Sequence, residues 1–163
     1  MKKRLTVTIR LDNKSGRIAE VNDNPKGQLT KKFPCVYAIS YRNCIVRFGE
    51  ASAGYSRIRS GFNQELCHKN NKRNYYAYKW REHYRGKKLE LVVCSLPERF
   101  GDANDGSRWR RALEAELAWE FRKLHGGWPT AITEIHFDEQ LRKKRIIQSE
   151  ISSFFRLFNK KRG

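Results

Sequence analysis

The chain has 163 residues, enough for one domain with its own core and too few for two ordinary domains. Lys and Arg total 35 against 17 acidic residues, a net charge of +18, so a polyanionic partner is expected because each phosphate neutralised releases condensed counterions. Hydrophobic residues at 39% and aromatics at 12% exclude a disordered basic tail, and cations spread along the whole length, with no apolar anchor beside them, argue against a membrane surface.

The opening segment alternates Leu5, Val7, Ile9 and Leu11 with polar residues, which predicts a strand and not a signal-peptide core. Asp12-Asn13-Lys14-Ser15-Gly16 supplies turn chemistry, and residues 17–33, with Asn22, Asp23, Asn24, Pro25 and Gly27, read as loop. Two β-rich runs follow, Cys35 to Ser40 and Cys44 to Phe48, separated by Tyr41-Arg42-Asn43, a hairpin spacing. Ser52 as a cap and Tyr55, Ile58 and Phe62 at helical spacing predict a short helix over 50–66.

Asn74 to Tyr84 is thick with Tyr and Trp among Lys79, Arg81 and Arg85, either a stacking surface for bases or a packed helix with snorkelling cations. After Gly86, Leu89 to Val93 reads as a core strand. Ser107 opens the clearest helix, through about Leu124, closed by Gly126-Gly127. Glu139 to Phe158 reads as an amphipathic basic helix, with Ile147, Ile151, Phe154 and Phe155 on one side and Arg142, Lys143, Lys144 and Arg145 around it as nucleic-acid contacts. The expected fold is α+β, a small antiparallel or mixed three-stranded central sheet flanked by helices. Cys35, Cys44, Cys67 and Cys94 form no C-x-x-C pair, so reduced thiols in a cytosolic protein are expected, with neither zinc nor disulfides.

Val36-Tyr37-Ala38, then Arg47-Phe48-Gly49, then Arg57 in the following helix and Glu116 in a later one resemble the GIY-YIG nuclease domain, over about residues 34–137. On this resemblance residues 1–33 form an N-terminal strand and loop arm, and 138–163 a C-terminal helix packed on the domain or a partner. Tyr37 stands at the motif's first tyrosine, Gly49 at its closing glycine and Arg57 at the phosphate-binding arginine. Arg47 replaces the second tyrosine, and no asparagine follows the catalytic helix near Thr130. The resemblance implies metal-dependent hydrolysis of DNA, with Glu116 holding Mg²⁺ or Mn²⁺, in the cytoplasm of a bacterial or phage-infected cell. One such site cuts one strand; cutting both needs a homodimer, a second visit or repositioning on the nicked strand, and the sequence does not choose among them.

The residue types suit that chemistry without the family. Hydrolysing a phosphodiester needs a deprotonated water, positive charge on the non-bridging oxygens and stabilisation of the departing oxyanion. Cations beside a tyrosine favour its phenolate, so Tyr37 is the expected base, while the forks of Arg57 and Arg47 suit phosphate oxygens. In the long helix, Trp109, Leu113, Leu117 and Phe121 make the apolar stripe; Glu116 is expected on the buried side and Glu114 toward solvent. Arg59, His68 and His83 are secondary candidates. Two rivals stay open: a basic DNA- or RNA-binding module that keeps the fold without the reaction, and an RNA-associated structural protein.

Overall fold

A computed structural model of the chain describes residues 3–22, 32–54, 58, 83–101, 105–131 and 135–159. Its strands are β1 (Lys3–Leu11), β2 (Ile18–Asn22), β3 (Cys35–Tyr41), β4 (Cys44–Ala51) and β5 (Lys88–Ser95). They form one antiparallel sheet in the order β2-β1-β5-β3-β4. The sheet thus has five strands where the sequence predicts three.

The difference lies in the N-terminal segment. β1 is an interior strand, paired with β5 from Lys3↔Ser95 to Arg10↔Lys88. Leu5, Val7, Ile9 and Leu11 need an apolar face, and Leu89, Leu91 and Val93 of β5 provide one, so the first strand joins the core and does not stand apart as an arm. β2 forms where a loop is expected. Ile18 is its one fully buried residue, a pattern too weak to announce a strand, and β2 is held by the β1 ladder and by the cross-strand pair Arg10–Glu20, 2.5 Å apart.

The sheet buries both faces. One gathers Leu5, Val7, Ile9, Tyr37, Ile39, Leu91 and Val93, and the other gathers Val36, Ala38, Phe48, Val92 and Cys94 beneath two helices. These are α1 (Gly106–His125) and α2 (Arg145–Asn159). Phe48 of β4 joins the layers, meeting Phe121 edge-on at 6.1 Å and Phe154 at 5.8 Å between centroids. Burial pushes the thiols of Cys35 and Cys94 up to about 12, so both stay protonated and inert.

α1 matches its expected span and ends at Gly126, whose φ of +75° lets its N–H reach the Arg122 carbonyl at 2.8 Å. α2 starts later than the Glu139 predicted. Asp138 Oδ1 accepts the N–H groups of Gln140 and Leu141, each at 3.1 Å, which holds 138–144 as turns before the helix begins. Of the helix expected over 50–66, Ile58 is described, helical and buried; most of that stretch and most of 74–84 lie outside the described residues.

Candidate active site

Tyr37 and Gly49 face each other across the β3–β4 ladder. The tyrosine ring lies across the glycine so closely that a Cβ there would come within 2.2 Å of Tyr37 Cζ and 2.3 Å of its hydroxyl oxygen. Only a residue without a side chain admits the phenol in this position. Strand alternation places Arg47 on the same face, one diagonal away, because Arg47 pairs with Ile39 as Gly49 pairs with Tyr37. The hairpin therefore brings together a phenol, a guanidinium and a glycine backbone that the phenol covers. Arg47 is half-buried and Tyr37 is 7% exposed, so the phenol sits almost entirely within the protein.

Glu116 is elsewhere. It is buried, as its spacing predicts, but on the α1 side of the sheet, whereas Tyr37 points into the opposite face. Arg142 Nε stands 3.0 Å from Glu116 Oε1, an ion pair not aligned as a hydrogen bond, since Oε1 accepts none. Arg142 also reaches Glu139 at 2.9 Å and lies over the Phe137 ring at 4.4 Å. Glu116 thus faces the 135–142 segment. Burial raises its carboxyl above the usual range, while the Arg142 charge pulls it back down. A divalent ion at Oε1 would meet that guanidinium, so these surroundings do not fit a metal, and no group of three His, Cys, Asp or Glu gathers among the described residues. Arg142, expected as a nucleic-acid contact, is engaged inside the protein.

Glu114, expected toward solvent, is half-buried. The stripe it shares explains this. Arg110, one turn earlier, is buried and holds Glu50 of β4 at 2.6 Å and the Phe100 carbonyl at 2.5 Å. Phe121, two turns later, touches Phe48 of β4. Glu114 lies between these contacts at i+4 and i−7, on the side of α1 turned to Phe48 and Glu50 of β4, the face of that strand opposite Gly49 and Arg47. Counting apolar neighbours in the sequence missed this, because Arg110 reads as a solvent cation until its partner on β4 is known.

Lys143, Lys144 and Arg145 are exposed at the start of α2, and Arg85 is half-buried after Tyr84. His83 packs edge-on against Tyr84 at 4.8 Å. Thr130, near the position of the missing asparagine, has its hydroxyl 3.5 Å from that of Tyr84. Arg57, Arg59, His68, Lys79 and Arg81 lie outside the described residues. No helix among the described residues is long and apolar enough to cross a membrane.

No protein-family model matches the chain, and no curated protein matches it. Among solved structures, the restriction endonuclease HPY188I in complex with product DNA is similar over 78% of this chain and 78% of that chain, at 13% identity and a TM-score of 0.43.

Proposed function

We propose that this chain is a DNA endonuclease of the GIY-YIG kind. The observation that carries the reading is the approach of Tyr37 to Gly49, with Arg47 beside them: a glycine kept where any side chain would expel the phenol, next to a guanidinium, in a chain of net charge +18. In the reaction, Tyr37 as phenolate takes a proton from water, and the water oxygen forms its bond to phosphorus as the bond to the 3′ oxygen breaks. Arg47 and Arg57 hold the non-bridging oxygens and stabilise the charge that builds on them. No α1 carboxylate is assigned to this site, because Glu114, like Glu116, stands on the helix that covers the face opposite Tyr37. Glu116, set against Arg142, takes no part, and no step passes through a cation held there.

The pairing of Glu116 with Arg142 favours one alternative, a DNA-binding module that keeps the fold without the reaction. A plasmid-nicking assay with Mg²⁺ or Mn²⁺ separates the two. Wild type should nick. Tyr37→Phe should bind DNA and lose cleavage by about 10²-fold or more. Glu116→Gln should cleave. Equal cleavage by wild type and Tyr37→Phe overturns the assignment of the base, and tight binding with no cleavage by wild type establishes the binding module.

A further inference from the structure

We infer that Arg42, at the tip of the β3–β4 hairpin, is a contact for the phosphate backbone of duplex DNA. The turn is two residues long, Arg42-Asn43, with φ of +49° and +65°. That geometry is the type I′ turn, which favours Asn followed by Gly and disfavours a long side chain at its first position. Turn stability therefore does not account for the arginine. Asn43 suits the left-handed region, whereas Arg42 occupies it at a cost of roughly 1 kcal/mol.

What the position provides is a placed charge. The Arg42 guanidinium lies 5.2 Å from the centroid of the Tyr41 ring, and Tyr41 meets Tyr84 edge-on at 5.4 Å. Tyr41 packs against the same core cluster as Tyr37 and Ile39, so the cation is drawn over that face of the sheet. Arg42 is exposed, and among the described residues no acidic side chain pairs with it. Its neighbour in the turn, Asn43, is not acidic either. A planar fork on a rigid aromatic base, paired with no carboxylate among the described residues, suits an external phosphate.

Tyr37 and Tyr41 are four residues apart on one strand, about 14 Å at roughly 3.4 Å per residue. That the contacted duplex is the one cleaved near Tyr37 rests on the nuclease reading; the contact itself does not.

Fluorescence anisotropy with a short labelled DNA duplex, without divalent metal, tests the contact alongside thermal unfolding. Arg42→Asn restores the preferred turn residue, so Tm should hold or rise while affinity falls about eightfold at 0.1 M salt and the salt slope drops by about one. Arg42→Lys should keep the slope. Asn43→Gly should raise Tm and leave affinity unchanged. Wild-type affinity and slope in Arg42→Asn overturn the proposal, as does an equal loss in Asn43→Gly, which would assign the effect to turn shape. Absence of cleavage by wild type, with Arg42→Asn still weakened in binding, defeats the nuclease reading and leaves the contact standing.

Discussion

The ring of Tyr37 occupies the space that a side chain at position 49 would fill, so the two residues are a single structural unit on adjacent strands. Gly49→Ala must displace the ring or the strand. Overpacking of this kind costs about 1–3 kcal/mol. Cleavage should fall with it, because the phenol leaves its place. In a Tyr37→Ala background the same substitution should cost far less stability, giving a coupling energy of about 1 kcal/mol or more in a double-mutant cycle by denaturant unfolding. Additive effects would mean that the ring does not depend on the glycine.

Arg142 neutralises a carboxylate that burial already disfavours. Arg142→Ala should destabilise the fold by about 3 kcal/mol, as breaking one side of a buried pair does. The sign of the pH dependence follows from the raised carboxyl. A folded-state value above the unfolded one means that the folded protein holds its proton more tightly, so stability falls as pH rises through that interval. Without Arg142 the interval widens, and the deficit relative to wild type should be largest at neutral pH and shrink as Glu116 protonates. Unfolding curves across pH check this; a deficit independent of pH would refute the pairing.

Asp138 shows the opposite sign. The Arg108 hydrogen bond, with Nε at 2.6 Å, is the main cause that lowers its carboxyl, and the N–H groups of Leu141 and Gln140 add to it. A depressed folded-state value contributes stability that is present above the unfolded value and lost as pH falls through the folded one. Asp138→Asn should therefore be less stable than wild type at neutral pH, and the two curves should converge in acid. Because the turn at 138–144 sets where α2 begins, helix content should drop slightly in the variant by circular dichroism.

Arg110 and Glu50 tie α1 to β4 across the layer boundary, with the guanidinium side chain 3% exposed. Arg110→Ala strands Glu50 and the Phe100 carbonyl and should cost about 3–5 kcal/mol. Arg110→Met together with Glu50→Gln removes the charge on both sides and should recover much of that loss. A double variant as unstable as Arg110→Ala would show that the pair is not the source of the cost.

The strand alternation of β1, the β3–β4 hairpin, β5 and the glycine-terminated helix α1 were all legible in the sequence, because each depends on periodicity and turn residues within a short window. The same holds for the excess of positive charge and for the candidacy of Tyr37 and Gly49, whose separation is fixed by one tight hairpin. β2 was not legible, since its pairing energy comes from a neighbouring strand and not from its own residues. Nor was the insertion of β1 between β2 and β5, which is a choice among edges of similar apolar character.

The acid is the clearest case. Spacing placed Glu116 on a buried side of α1 correctly, yet burial has two directions on a helix caught between a sheet and a returning segment. Arg110 meeting β4 and Arg142 meeting Glu116 decide which side is which, and both contacts join residues distant in the chain. Local sequence dictates which face of an element is apolar. Only the packed structure dictates what that face meets, because the partner charge that neutralises a buried group can come from anywhere in the polypeptide.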